Sequence, residues 1–206
     1  MHSKDLAVRI AAHKSPSAIE DLYYLVKDAT ERSDGDIPAG FFEPIEDVLP
    51  HMVRLLPELH PNSLTSGHIM SICRRTRHSS ETTRVAFELF LKTSNSDFVE
   101  LLSHCQPENW TAEIEEALIT SLLSLSPNAA SFSTEEVLHY KIRTTLGCRI
   151  NRASSPFLRE LVKAFGQNDE SDQRRQAIGE VLQHYRPEFD AHGLDHIMSF
   201  LESSKI

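Results

Sequence analysis

Apolar side chains recur along this chain every three or four residues, the spacing that places them on one face of an α-helix. The first clear stripe consists of Ile19, Leu22, Tyr23 and Val26. Stripes with the same spacing lie in residues 45–56, 85–90, 98–105, 114–125, 137–146, 157–165, 178–185 and 194–201. No stretch alternates apolar and polar residues for long enough to predict a β-strand. The pattern therefore predicts an all-α protein.

Capping signals predict where the helices begin. The segments 17–20 (SAIE) and 133–136 (STEE) have the form of capping boxes, and Pro16 and Pro156 suit first helical turns. The predicted starts lie near residues 3, 17, 41, 65, 80, 96, 111, 133, 155, 171 and 192, which makes about eleven helices. Pro50 lies inside the stripe 45–56, and we expect it to kink or break that helix because proline has no N–H.

Alternate predicted starts from residue 41 onward lie roughly 31 to 44 residues apart, which is the period of two-helix repeat units. In helix length and period the chain resembles the HEAT and armadillo families of α-solenoids over most of its length. The resemblance implies one helical-repeat domain over residues 1–206, in which antiparallel helix pairs stack into a short α-solenoid. It also implies a protein that works by displaying a binding surface. An irregular compact helical bundle is the alternative fold.

The composition narrows the class of partner and the compartment. The net charge of −9 argues against binding to nucleic acid or to an anionic membrane over the whole surface, because phosphate affinity rests on a positive field. The first residues are too polar for a secretory signal, and no apolar run approaches the roughly 20 residues of a membrane span. We therefore expect an intracellular protein, nuclear or cytoplasmic, that does not contact a membrane.

No catalytic motif stands out. The three cysteines form no CxxC pair, and neither a GxSxG elbow nor a glycine-rich phosphate loop occurs. His192 and His196 lie four residues apart, but the HExxH pattern of zinc proteases fails because Gly193 follows the first histidine. We expect no enzyme activity and no cofactor. A metal-dependent all-α enzyme that uses His192 and His196 is the alternative.

Basic residues concentrate in two zones of this acidic chain. The first zone holds Arg74, Arg75, Arg77 and Arg84, and the second, residues 131–165, holds six basic and three acidic side chains. Cations at a helix C-terminus stabilise the helix dipole, which explains one or two of the arginines but not three within four residues. The basic residues predicted to bind a partner are Arg74, Arg75, Arg77, Arg84, Lys141, Arg143, Arg149 and Arg152.

Aromatic residues add an apolar component to this predicted surface. Phe41, Phe42 and the lone Trp110 each lie at a helix start or a loop edge and are the aromatic residues suspected at an interface. Packing in the core is the more ordinary alternative for all three. The sequence thus predicts a non-catalytic interaction module, a scaffold or adaptor subunit. Its expected partner is another protein, through an acidic or phosphorylated segment or a helix. The alternatives are a nucleic-acid-associated helical protein that uses the basic zones, and a homodimer formed through the terminal helices.

One short motif within the first basic zone suggests a modification. The sequence Arg75-Thr-Arg77-His-Ser-Ser80 matches the arginine pattern of sites for basophilic kinases. Ser79 or Ser80 is also expected to cap the next helix. A cap at Ser80 would hide its hydroxyl group from a kinase.

Overall fold

The computed structural model describes residues 3–31, 37, 40–124 and 133–148, together with residues 161, 163–165, 167, 178–179 and 181–182. These residues confirm the all-α fold class, with no strand among them. The α-helices are α1 (Ser3–His13), α2 (Pro16–Glu31), α3 (Glu43–Leu55), α4 (Leu64–Arg75), α5 (Ser80–Thr93), α6 (Ser96–Ser103), α7 (Ala112–Ser124) and α8 (Thr134–Cys148). Two short 3-10 segments span Leu56–Glu58 and Pro107–Asn109. In this part of the chain no helix combines the length and the apolar character needed to cross a membrane.

The first eight predicted helix starts are confirmed to within two residues. The starts predicted near residues 155, 171 and 192 lie outside the described residues, which therefore carry fewer helices than the eleven predicted. Ser133 is confirmed as the N-cap of α8, because its hydroxyl accepts a hydrogen bond from the Glu136 backbone N–H at 3.1 Å, which is one of the two bonds of the predicted capping box. At α2 the cap is Ser15 and not Ser17, and Pro16 takes the first helical position.

Pro50 does not break its helix, contrary to one of the two predicted outcomes. Helix α3 runs through Pro50, which is buried, and ends five residues later. Since proline has no N–H, the Glu46 carbonyl four residues earlier receives no helical hydrogen bond from it. Burial of the apolar face of α3 offsets that loss, because Ile45, Leu49 and Met52 are fully enclosed. Each of these side chains contributes on the order of 1.5–3 kcal/mol by leaving water.

The chain groups into two compact units. Unit 1 consists of residues 1–93 and 104–109, and unit 2 of residues 94–103 and 110–206. In unit 1, α1 packs against α2 and α3, α2 packs against α4, and α3 packs against α5. Helices α1, α3 and α5 therefore form one row, and α2 and α4 form another. The largest enclosed side chains of this unit are Leu6, Ile10, Ile19, Leu22, Ile45, Leu49, Met52, Ile69 and Ile72.

Unit 2 is built around α8, which packs against both α6 and α7. Its described core holds Phe98, Leu101, Leu102, Leu118, Leu122, Leu138, Ile142 and Leu146. The indole N–H of Trp110 donates a hydrogen bond to the Glu115 carboxylate at 3.3 Å. Both residues are buried. The hydrogen bond matters because a buried carboxylate that is not hydrogen-bonded is costly.

The residue that follows helix α1, Lys14, has a strained backbone conformation. Lys14 follows the helix with φ +48°, in the left-handed region, and its N–H donates to the Ile10 carbonyl at 2.9 Å. This is the position that glycine favours at a helix C-terminus. The Lys14 ammonium group lies 3.6 Å from the Glu58 carboxylate, and both side chains are about two-thirds exposed. An ion pair so exposed contributes little to stability.

We expect Lys14→Gly to raise the free energy of unfolding by about 0.5–1 kcal/mol, because relief of left-handed strain outweighs the entropy of the added glycine. Lys14→Ala is the control, since it removes the same ion pair and keeps the strain. It should bring no gain. Urea unfolding followed by circular dichroism measures both. A less stable Lys14→Gly variant would contradict the assignment of strain to this residue.

Candidate functional site

A surface pocket of about 410 Å³ lies in unit 1 between the start of α3 and the end of α4. Its lining residues are Ile37, Gly40, Phe41, Phe42, Glu43, Glu46, Arg75 and Arg77. The structure thus brings together Phe41, Phe42, Arg75 and Arg77, four of the residues predicted from the sequence to bind a partner. The two phenylalanines lie more than thirty positions before the two arginines in the chain. We call the space that these four residues enclose the Phe–Arg pocket.

The two arginines reach the pocket because the backbone becomes extended where α4 ends. Thr76 follows the helix with φ −118° and ψ +156°. Successive side chains of an extended segment point in opposite directions. Thr76 accordingly points inward, is buried, and donates from its hydroxyl to the Ile72 carbonyl at 2.9 Å. Arg75 and Arg77 lie on the other side, toward the pocket.

The two guanidinium groups differ in how firmly they are held. Arg75 is half-buried, and its Nη1 donates to the Ser71 carbonyl at 3.2 Å and to the Ser71 hydroxyl. Arg77 is exposed, and no ion pair of Arg77 is found among the described residues. Arg75 is therefore already positioned by its own helix, whereas Arg77 is exposed and its charge acts on the Glu46 carboxyl.

The aromatic side of the pocket begins at a glycine. Gly40 has φ +77°, a conformation that side chains other than glycine rarely adopt. The turn it makes precedes Phe41 and Phe42, whose rings meet edge to face with centroids 5.0 Å apart. Both rings are half-buried, so one surface of the pair remains open to the pocket.

Phe42 is also the N-cap residue of α3, and its side chain cannot accept a hydrogen bond. Its carbonyl accepts from the N–H groups of Ile45 and Glu46 at 2.9 and 2.8 Å. The first backbone N–H of α3 has no side-chain cap, and the positive end of the helix dipole adjoins the pocket. This dipole adds to the positive charge of the arginines.

Two carboxylates line the same pocket. Glu43 and Glu46 lie in the first turn of α3, so the four charged residues of the pocket have no net charge. Burial raises the pKa of the Glu46 carboxyl above 4.5. Arg77 opposes that rise, while Asp47 and Glu43 add to it. Desolvation, together with the two neighbouring carboxylates, therefore outweighs the effect of Arg77 on the pKa of this carboxyl group.

Histidine 78 anchors the segment that carries the arginines. The side chain of His78 is completely buried, and its Nε2–H donates to the Cys73 carbonyl at 2.8 Å. Asn109 donates from Nδ2 to the His78 carbonyl at 3.2 Å, and the backbones of His78 and Cys105 form an isolated bridge. The sequence analysis missed this role. The signal was the alternation of Arg75, Thr76, Arg77 and His78 just before a cap, which is typical of an extended segment with one buried side.

Arg74 and Arg84, the other arginines of the first basic zone, lie outside the Phe–Arg pocket. Arg74 is exposed in the last turn of α4. Arg84 forms ion pairs with Glu81, at 2.8 Å, and with Glu88 on its own helix. Arg54 reaches the same Glu81 from α3 at 2.6 Å. These arginines hold the pKa of the Glu81 carboxyl below its usual value. The charge of Arg84 is thus compensated within unit 1.

The second basic zone belongs to unit 2. Lys141 forms an ion pair with Glu100, and the guanidinium group of Arg143 lies 5.4 Å from the centroid of the Tyr140 ring. Trp110 is only 7% exposed, so little of its indole is accessible. Arg149 and Arg152 lie outside the described residues. Of this zone, the described side chains of Lys141 and Arg143 thus each contact a neighbouring side chain of unit 2.

No metal centre is found in the described part of the chain, where no three histidine, cysteine or acidic side chains could share an ion. The candidate ligands His192 and His196 lie outside it. Cys73 and Cys105 are buried free thiols, and burial raises the pKa of the Cys73 thiol to about 12. The Cys148 side chain is not among those described.

Comparison with known proteins adds no assignment. No family model, no curated protein and no solved structure matches this chain. The resemblance to HEAT and armadillo solenoids stays a prediction from helix length and period. Function is therefore argued from the Phe–Arg pocket and its surroundings.

We expect the two buried thiols to be unreactive in the folded protein. With a pKa of about 12, Cys73 is present as thiolate at only ~1 part in 10⁴ at pH 8, and its burial blocks access. In a Cys148→Ser variant, we expect no thiol to react rapidly with Ellman's reagent while the protein is native. Two thiols should react after unfolding in guanidinium chloride. A fast-reacting thiol in the native variant would contradict the burial of Cys73 and Cys105.

We expect Glu46→Gln to stabilise the protein at pH 7. Because the pKa of Glu46 is raised in the folded state, its contribution to stability is fully present below pH 4.5 and is lost as the pH rises through the folded-state pKa. Glutamine mimics the protonated form, so the gain should disappear below pH 4.5. Urea unfolding at pH 7 and pH 4 measures both differences.

Glu43→Gln is the matched control for this test. Glu43 is exposed at the first position of α3, so its loss removes a favourable interaction with the helix dipole of about 0.3–1 kcal/mol. The two variants should therefore change stability in opposite directions at pH 7. A destabilised Glu46→Gln variant would show that Arg77 and the dipole dominate at that carboxyl group.

Proposed function

We propose that this chain is a non-catalytic protein-interaction module, an adaptor or scaffold subunit, that holds a segment of a partner protein in the Phe–Arg pocket. The observation that carries the proposal is the convergence of Phe41, Phe42, Arg75 and Arg77 on one pocket of about 410 Å³. Two aromatic rings and two arginines are the residue types that contribute most to protein interfaces. A pocket of this size accommodates a few side chains of a peptide.

The charges of the pocket define the segment that it fits. The guanidinium group of Arg77 can donate two hydrogen bonds to one carboxylate. The start of α3, which has no side-chain cap, favours the same negative charge. An apolar side chain next to that carboxylate would cover the open surface of the Phe41–Phe42 pair. We therefore expect the partner segment to contain an acidic residue next to an apolar one.

Glu43 and Glu46 restrict the negative charge that the pocket accepts. Both carboxylates lie in the same pocket as the arginines, so each added negative charge on the ligand meets repulsion as well as attraction. A singly charged aspartate or glutamate side chain is consequently a better ligand than a phosphate group with nearly two charges. Of the two ligands suggested by the sequence, we favour the acidic segment over the phosphorylated one.

The wider architecture supports the same role. In unit 1 the two rows of helices, α1–α3–α5 and α2–α4, have the neighbour relations of stacked helix pairs. That packing supports a short helical-repeat module that displays a surface. A single helical-repeat domain over residues 1–206 and a nuclear or cytoplasmic location remain parts of the proposal.

The test is a quantitative comparison of two arginine variants. Tagged wild-type protein, Arg77→Ala and Arg74→Ala are used to capture partners from the cells that make the protein, with isotope-coded mass spectrometry. Arg74 is a matched control, because it is an exposed arginine three residues before Arg77 and does not line the pocket. We expect a partner that Arg77→Ala reduces about tenfold or more, a loss equivalent to roughly 1.4 kcal/mol, and that Arg74→Ala retains.

The captured partner then supplies the ligand for a direct measurement. Overlapping peptides of its sequence are titrated against wild type, Arg77→Ala and Phe41→Ala by fluorescence anisotropy. Binding should map to a peptide with an acidic residue beside an apolar one, and both variants should weaken it. Tighter binding of a phosphorylated peptide would overturn the preference for a carboxylate. A partner list unchanged by Arg77→Ala, or peptide binding unchanged by both Arg77→Ala and Phe41→Ala, would overturn the proposed pocket.

A further inference from the structure

The segment between α4 and α5 contains an arginine pattern that the proposed binding role does not use. Arg75 and Arg77 precede Ser80 by five and three residues. Arginine-directed protein kinases select substrates by such charge patterns, because acidic subsites of the kinase hold the guanidinium groups on the N-terminal side of the serine. The sequence alone left this motif in doubt, because Ser80 was itself a candidate helix cap.

The structure removes that doubt by assigning the cap to Ser79. The Ser79 hydroxyl accepts a hydrogen bond from the Thr82 N–H at 3.2 Å, and the Ser79 carbonyl accepts from the Thr83 N–H at 3.0 Å. Ser80 is the first residue of α5 and is exposed. Within the described residues its hydroxyl takes part in no hydrogen bond. Modification of Ser80 therefore leaves the cap of α5 in place, whereas modification of Ser79 would remove it.

We propose that Ser80 is a phosphorylation site for an arginine-directed serine/threonine kinase, and that phosphate on Ser80 releases the ligand of the Phe–Arg pocket by engaging Arg77. The second part rests on the proposed function. In the reaction, the Ser80 hydroxyl oxygen bonds to the γ-phosphorus of ATP. The bond from that phosphorus to the bridging oxygen of ADP breaks, ADP leaves, and the hydroxyl proton passes to the kinase's catalytic base.

A phosphate at this position would be attracted by the start of α5 and repelled by the adjacent Glu81 carboxylate. It would lie in the first turn of α5, where the helix dipole stabilises a charge of nearly −2, and it has three strong acceptor oxygens. Arg77 and Arg84 lie three residues before and four residues after it. Arg84 already pairs with Glu81 and Glu88, whereas no ion pair of Arg77 is found in the described part of the chain. Arg77 is thus the guanidinium group best placed to bind the phosphate.

Engagement of Arg77 changes the charge of the Phe–Arg pocket. With both arginines available, the two positive and two negative side chains balance. Once Arg77 pairs with the phosphate, Arg75 alone faces Glu43 and Glu46, and the pocket becomes net negative. An acidic segment would then be repelled, so phosphorylation acts as a release signal.

The kinase must first loosen the segment, because Thr76 and His78 are anchored inward. The His78 carbonyl accepts a hydrogen bond from Asn109, which belongs to the same unit. Removal of this bond should make local opening easier without touching Arg75, Arg77 or Ser80. Asn109→Ala should therefore accelerate phosphorylation of Ser80.

The test uses the full chain, ATP and an arginine-directed kinase, with the phosphate located and quantified by tandem mass spectrometry. A synthetic peptide of residues 72–84 confirms that the kinase is active on the sequence. We expect phosphate on Ser80 and not on Ser79, no such product in Ser80→Ala, and a rate about tenfold lower in Arg77→Lys, which keeps the charge but loses the fork geometry. Modification of the peptide without modification of Ser80 in the folded chain would overturn the site.

The effect on the pocket is measured separately, with the acidic peptide obtained from the captured partner. Stoichiometric phosphorylation should weaken binding about tenfold in wild type and should bring no further loss in Arg77→Ala. Phosphorylation of Ser80 with unchanged binding would overturn the release mechanism and leave the site standing. A protein that binds no partner peptide even before phosphorylation would overturn the proposed function, and the mapping of phosphate to Ser80 would still decide the site.

Discussion

The short extended segment after α4 is the constraint on which the candidate site depends. Thr76 and His78 are drawn inward by hydrogen bonds to the Ile72 and Cys73 carbonyls, the last turn of the preceding helix. With those two side chains buried, the alternation of an extended backbone places the side chains of Arg75 and Arg77 on the opposite side. Had α4 continued through residue 77, helical geometry would have separated the two arginines by about 200° around the axis. The pocket would then have lost one of its guanidinium groups.

The pocket also shows how the ends of two helices can combine. The start of α3 supplies a positive dipole end and two half-buried phenyl rings, and the end of α4 supplies the two arginines. Glu43 and Glu46 keep this concentration of positive charge in balance, at the cost of an unfavourable environment for the Glu46 carboxylate. A site with both charge signs and an aromatic wall is suited to recognising a particular side-chain pair in a peptide. It is less suited to binding polyanions such as nucleic acid.

Ser79 and Ser80 illustrate how neighbouring, chemically identical residues acquire different roles. Ser79 uses its hydroxyl to satisfy an N–H group at the start of α5, and Ser80, one residue later, is exposed. The same short segment thus carries the cap of α5, the arginines of the pocket and the proposed modification site. These features lie within six residues, and Arg77 belongs both to the pocket and to the arginine pattern that precedes Ser80.

The sequence by itself determined the helices and most of their buried faces. Apolar periodicity and hydroxyl caps act within a few residues, so the starts of α1 to α8 and the enclosed stripe of α3 could be predicted without any tertiary contact. It also identified Phe41, Phe42, Arg75 and Arg77 as candidates for binding.

Only the tertiary structure decided which candidates act together. Arg84 is compensated by Glu81 and Glu88, Trp110 is buried against Glu115, and His78 is enclosed. Each outcome depends on side chains from other turns or elements. Residue type and local spacing carry no information about which side chain will lie 3 Å away once helices pack, because that distance is set by the packing of the whole unit.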